Sequence, residues 1–274
     1  MALDFRTDSV IFEVDDAVAV VTLNRPHEGN AITEDLRRGV VAAWDEIERN
    51  AAIRVGIITG AGERHFCTGA SVSELREDEN SMLVGGSLRD SVRFSPHQVG
   101  VTKPVICVVN GLVNAGGLHL VVDADIVVAS GTAAFMDTHT SVGQVSGLES
   151  VGLARRMTMG SALLLTLAGR HYRMPAERAY QLGLVDLLEA TPKEAMTTAR
   201  KLAADIALNS PQAMQASKQV LWASMEKGYQ ASMEAGWESI KTQWKHPDFR
   251  EGPLAFAERR DPRWAATSRN DGSR

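Results

Sequence analysis

Lys103-Pro104-Val105-Ile106-Cys107-Val108-Val109-Asn110-Gly111-Leu112-Val113-Asn114-Ala115-Gly116-Gly117-Leu118-His119 is the stretch on which the fold turns. Residues 104–109 are continuously apolar, the mark of a short strand buried on both faces. A glycine turn follows at Gly111, and residues 111–123 read as helical. A strand that passes through a glycine turn into a helix points backbone N–H groups at whatever sits above the helix start. Small residues at Gly116-Gly117 let a ligand approach the backbone closely.

Upstream, Phe66-Cys67-Thr68-Gly69-Ala70-Ser71 follows a second apolar strand at 54–59 and its Gly60-Ala61-Gly62 turn. Two N–H groups aimed at one carbonyl oxygen would form an oxyanion hole. Spacing alone fits equally well with glycines that only permit tight turns. Residues 11–14 and 17–23 read as strands joined at Asp15-Asp16. Thr33 is placed to cap a helix in which Leu36, Val40, Ala43, Trp44 and Ile47 recur at helical spacing. Residues 126–129 return to strand, and the alternation predicts an α/β core over 1–190. Residues 74–101 are polar and carry Gly85-Gly86, which predicts a mobile connection with a helix inside it. Beyond 190 the pattern is helical at 192–209, 211–226, 229–244 and 252–260. This gives a C-terminal helical region over 191–264 and a frayed tail over 265–274.

The 274 residues are 44% hydrophobic and 23% charged, ordinary values for a globular protein. Lys+Arg 29 against Asp+Glu 34 leaves a net charge of −5. Without basic runs, that balance argues against nucleic acid or a membrane as partner. No apolar run reaches membrane-spanning length. The two cysteines, Cys67 and Cys107, lie in apolar surroundings, as expected of buried thiols in a reducing, cytoplasmic setting. Gly60-Ala61-Gly62 lacks the third glycine of a dinucleotide fingerprint, since His65 takes its place. His119 and Asp123 share helical spacing but have no further ligand candidates nearby in sequence, so no metal is expected.

Together these segments resemble the crotonase superfamily, the enoyl-CoA hydratase/isomerase family. The likeness runs through Arg25-Pro26 with Asn30-Ala31-Ile32, residues 59–70, residues 103–129, Ala168-Gly169-Arg170, Leu182-Gly183-Leu184-Val185 and Arg250-Glu251-Gly252. It implies an α/β spiral of ββα units with a C-terminal helical trimerisation region, assembled as a homotrimer or hexamer. It also implies an acyl-CoA thioester as substrate, with coenzyme A entering as part of the substrate and no permanently bound cofactor. By position the oxyanion N–H groups would be those of Ala70 and Gly116. The CoA would lie along His27, Glu28, Ala31, Thr68, Ser71 and Val72, with Phe256 and Arg259 reaching a neighbouring subunit's CoA.

The departures from the family pattern shape the expected chemistry. Its two catalytic glutamates fall here at His119 and His139, and its Pro-Gly-Ala-Gly-Gly stretch is replaced by Ser146-Gly147-Leu148-Glu149-Ser150. The chain has seven histidines, and two stand at these positions. Histidine is a competent base near neutral pH. His119 and His139 are therefore expected to be the acid–base pair, most simply for hydration of an enoyl-CoA, a lyase reaction. His119, near a helix start, would feel a field disfavouring its charged form. The alternatives are hydrolysis of a C–C bond in a β-diketone or 3-oxoacyl-CoA, and a silent acyl-CoA-binding relative. Asp137 either orients an imidazole or satisfies backbone groups, with the second role favoured. Glu149 is a displaced carboxylate whose distance to the pair the sequence does not give.

Overall fold

Valine and isoleucine runs, broken by short turns, supply the longer strands in the computed structural model, which describes residues 5–71, 88 and 92–265. They are β1 (Phe5–Arg6), β2 (Val10–Asp15), β3 (Val18–Leu23), β4 (Val55–Gly60), β5 (His65–Cys67), β6 (Val105–Val109), β7 (Leu112–Asn114), β8 (Ile126–Ser130), β9 (Ala134–Met136), β10 (Met174–Pro175) and β11 (Leu187–Glu189). The helices among the described residues are α1 (Glu34–Arg49), α2 (Leu118–Val122), α3 (Glu149–Arg156), α4 (Met159–Ala168) and α5 (Ala176–Leu182). They continue with α6 (Pro192–Ala207), α7 (Pro211–Ser224), α8 (Tyr229–Gln243) and α9 (Asp248–Glu258).

A seven-stranded sheet runs β1-β2-β3-β4-β6-β8-β11, and a four-stranded sheet runs β10-β9-β7-β5. From β3 to β11 the large sheet is parallel, with Ile57 opposite Ile106 and Cys107 opposite Val127. Each pass of the chain lays one strand in the large sheet and the next in the small one: β4 then β5, β6 then β7, β8 then β9. This is the expected α/β spiral. Every residue of β6 is buried, as a parallel strand covered on both faces requires.

The two faces of the large sheet are covered differently. On one, α1 buries Leu36, Val40, Ala43, Trp44 and Ile47, and Thr33 Oγ1 caps it by accepting from Leu36 N at 3.1 Å. On the other, α6 lays Ala195, Ala199, Ala203 and Ala207 against Val18, Val20, Val55, Ile57, Ile106, Val108 and Val128. Alanine's small side chain lets the helix come close to the sheet while losing almost no rotamer freedom. The helix α7 is tied to the sheet through Asp125, whose carboxylate takes Lys218 Nζ and Trp222 Nε1, each at 2.7 Å.

Two sequence expectations need correction. Residues 112–114 are not helical: they form β7, paired in parallel with β9, and helix begins only at Leu118 after a 3-10 turn at Ala115–Gly117. Buried Val113 lies between half-exposed Leu112 and Asn114, a period of two that three residues are too short to announce. The last helix starts at Asp248 rather than 252 and continues through Pro253 to Glu258. Val72, nearly all of the connection expected over 74–101 before residue 92, and the tail beyond Ala265 lie outside the described residues. Among the described residues no helix is long and apolar enough to cross a membrane.

Candidate active site

Two backbone segments from different turns of the spiral meet at Gly69 and Gly116. Ile32 N donates to Gly69 O at 2.8 Å and Ser71 N donates to Ile32 O at 3.0 Å, forming a parallel bridge between Ile32 and Ala70. In that pattern the N–H of Ala70 itself faces away from Ile32. Gly116 lies in the first 3-10 turn after β7, where amides have no acceptor within the turn. A methyl group added at Gly69 would come within 3.0 Å of Gly116 N, and one added at Gly116 would lie 3.7 Å from Ala70 N. The amide edges of residues 70 and 116 therefore adjoin, and Gly69, at φ +89°, is needed both for its backbone angle and for the approach.

The same ribbon gathers most of the predicted CoA-contacting residues. Thr68 N donates to Gly29 O at 3.1 Å, which sets Thr68, Ala70 and Ser71 alongside residues 29–32, including Ala31. His27 and Glu28 occupy the preceding 3-10 turn, where Glu28 pairs with Arg25. Phe256 stands elsewhere in the sequence, on α9, and is 87% exposed. Arg259 ends that helix in the left-handed conformation.

The imidazoles converge from two elements. His119 is buried on α2, with the Phe94 ring edge-on to it at 5.5 Å. Phe94 is fixed in turn by its carbonyl, which accepts from Trp44 Nε1 at 2.9 Å. His139 follows β9, and its Nδ1 lies 2.7 Å from Oδ1 of the fully buried Asp137. The same Oδ1 accepts from the His139 backbone N–H at 3.2 Å, so Asp137 fills both roles considered for it. Glu149, the first residue of α3, places Oε1 3.2 Å from His119 Nε2 and 3.7 Å from His139 Nε2. Because α2 has only five residues, the helix field expected at His119 is small, and the nearest charge is the Glu149 carboxylate.

Protonation follows from these contacts. The Asp137 hydrogen bond holds His139 above the usual histidine range, against the opposing effect of burial, and Glu149 adds to the rise. Burial pushes Asp137 and Glu149 up, but contacts with His139 and His119 respectively outweigh it, leaving both carboxyls below their ordinary values. With Asp137 holding the Nδ1 proton, Nε2 of neutral His139 is the nitrogen able to accept another. Burial pushes the Cys67 thiol up to about 12 and Cys107 higher still, so neither supplies a thiolate.

Sequence reasoning missed the bracing. Buried Asn30 accepts from Arg25 N at 2.9 Å and donates to the carbonyls of Ala61 and His65, locking the 25–30 turn onto the β4–β5 connection. Asn114 donates to Thr138 Oγ1 at 3.0 Å and so links the Gly116 turn to the segment carrying His139. Asparagines next to turns were the available signal. A cavity of about 1250 Å³ reaches His119 and is walled by Val92, Leu148, Val151, Trp222 and Met225.

Comparison with known proteins agrees with this architecture. The family described as Enoyl-CoA hydratase/isomerase matches residues 13–267. A short-chain-enoyl-CoA hydratase of Clostridium acetobutylicum is 32% identical over 257 residues, 92% of this chain and 96% of its own. An (E)-benzylidenesuccinyl-CoA hydratase of Thauera aromatica is 33% identical over 259 residues, 92% and 97% of the two chains. The crystal structure of an enoyl-CoA hydratase from Mycobacterium tuberculosis H37Rv superimposes with a TM-score of 0.85 at 34% identity, covering 95% of this chain and all of that one (100%).

Proposed function

The chain belongs to the enoyl-CoA hydratase/isomerase family, and from that premise we propose that it hydrates an enoyl-CoA through a thioester enolate, with His119 and His139 as the acid–base pair. The observation that carries the reading is the junction of the amide edges at Ala70 and Gly116, three residues before His119, whose imidazole shares one carboxylate with that of His139. The Ala70 and Gly116 N–H groups hold the thioester oxygen, where negative charge collects as the enolate forms. His139 Nε2 takes the proton of the attacking water as its oxygen bonds to the β-carbon. His119 gives a proton to the α-carbon, and the proton gained by His139 then passes back to His119. Both rings end as they began, and the sum is one water added across the double bond.

The CoA lies along His27, Glu28, Ala31, Thr68 and Ser71, and the acyl group enters the cavity at His119. Exposed Leu221, Tyr229, Met233, Trp237 and Trp244 on or beside α7 and α8 support assembly as a trimer or a pair of trimers. In that assembly Phe256 and Arg259 serve a neighbour's CoA. Buried, unpaired thiols suit a cytoplasmic location. The Asp137–His139 contact at 2.7 Å also favours a second reading, in which the activated water attacks a carbonyl carbon and breaks a C–C bond.

A mass-spectrometric screen of enoyl-, 3-hydroxyacyl- and 3-oxoacyl-CoA esters together with cyclic β-diketones separates the two. Gain of one water on an enoyl-CoA supports hydration, cleavage of a 3-oxo ester or diketone supports the second reading, and no conversion refutes both. Gly116→Pro removes one oxyanion donor and should abolish turnover. A folded, fully active Gly116→Pro protein would overturn the oxyanion assignment.

A further inference from the structure

We propose that Glu149 is a positioning residue of the acid–base group, the shared carboxylate that fixes which nitrogen of His119 carries a proton and sets the pH at which His139 becomes a base. The inference rests on the proposed roles of the two histidines and extends them. One oxygen, Oε1, faces both Nε2 atoms, at 3.2 and 3.7 Å, from a side chain that is itself buried. The side of His139 that Asp137 does not occupy is therefore turned toward a second carboxylate.

The placement depends on how α3 meets α2. A methyl group added at Gly152, three residues along α3 from Glu149, would overlap Val122 Cγ2 on α2. Glycine there lets the two helices close, and closure brings the first residue of α3 over His119. A carboxylate so placed accepts Nε2–H of His119 when that ring is neutral. It also faces the charge that appears when His139 Nε2 takes a proton. Two carboxylates thus hold two imidazoles, and the imidazolium formed at His139 lies between them.

Among the described residues, the other ionisable groups around the cluster do not substitute for Glu149. At the C-terminal end of α2, Asp123 is hydrogen-bonded to Ser95. On α3, Arg155 donates to Met225 O and Arg156 to Val122 O and Ala124 O. The packed helix α4 carries no ionisable side chain. The turn at Gly169–His171, packed against the turn after His139, brings only the exposed Arg170 and His171.

The test is a ¹⁵N NMR titration of the histidine rings in wild type, Glu149→Gln and Glu149→Asp, followed by kcat/KM–pH profiles on the substrate found by the screen. An opposite charge within about 4–6 Å moves a pKa by about 1–3 units. In Glu149→Gln the His139 pKa should therefore fall by about that much, the acid limb of kcat/KM should move down by the same amount, and kcat should drop at least tenfold. Glu149→Asp, which keeps the charge, should recover part of both shifts, an outcome a purely structural role would not give. If Glu149→Gln does not fold, the wild-type rings decide: titration of His119 and His139 in coupled steps supports the proposal, and independent single-site curves overturn it. A folded Glu149→Gln protein with unmoved ring pKa values also overturns it. The titration needs no substrate, so it can succeed or fail independently of the proposed reaction.

Discussion

Replacing Asp137 with asparagine removes one charge from the site while leaving its shape nearly intact. The amide oxygen can still accept from His139 Nδ1–H and from the His139 backbone N–H, now served at 2.7 and 3.2 Å by one carboxylate oxygen. What disappears is the attraction between a carboxylate and the imidazolium formed during turnover. At 2.7 Å and an effective dielectric of about 20, Coulomb's law gives about 6 kcal/mol as the upper limit of that attraction. Water reaches the ring, whose side chain is 17% exposed, so part of this is screened. The expected loss in kcat is about 10²–10⁴-fold, the range for impaired proton transfer by a positioned side chain. The sign with pH is fixed. Asp137 raises the His139 pKa, so the variant should lose its proton at lower pH, and the acid limb of kcat/KM should move down. Stability follows the same linkage. A raised folded-state pKa stabilises fully below the unfolded histidine value of about 6.5, and the benefit fades as pH rises through the folded-state value. Asp137→Asn should therefore lower the urea midpoint more at pH 6 than at pH 9. Stopped assays on the identified ester, with urea titrations at both pH values, check the whole chain of reasoning. Turnover within about threefold of wild type, with an unmoved acid limb, would refute it.

Gly69→Ala should destabilise the fold by on the order of 1–3 kcal/mol, read as a lower Tm, because φ +89° is strained for alanine. It should also lower turnover about 10²-fold or more by pushing Gly116 N out of line. Light scattering should give a trimer or a dimer of trimers, and Trp237→Glu, on the exposed face of α8, should shift it toward monomer. A monomer at every concentration of the wild type would refute the assembly.

Local signals were legible in the sequence and distant ones were not. Thr33 could be assigned as a cap, and Leu36, Val40, Ala43, Trp44 and Ile47 as a buried stripe, because a helix encodes its cap and its inward face in consecutive residues. Residues 104–109 announced a doubly covered strand by composition alone, and 105–109 form it. The strand β7 was hidden by its length. Asp137 was legible as a residue that satisfies backbone groups, and the group it accepts from is the amide two residues on, a local motif. That the same oxygen also takes Nδ1 depends on the ring's rotamer. Glu149 was least legible. It lies thirty residues beyond His119 in the chain, and the two meet only because Gly152 lets one helix close on another.

The alanine face of α6 bears on how the protein is made. Until residues 195–207 leave the ribosome, the strands carrying Val18, Val20, Val55, Ile57, Ile106, Val108 and Val128 have no cover on that side. A nascent chain that has already formed β1 to β9 would present this aliphatic surface to other chains, the kind of surface on which partly folded intermediates aggregate. Parallel pairing between distant segments is itself slow. Productive folding of this chain is therefore timed by its last third, and a stalled or truncated product ending near residue 190 becomes a client for chaperones.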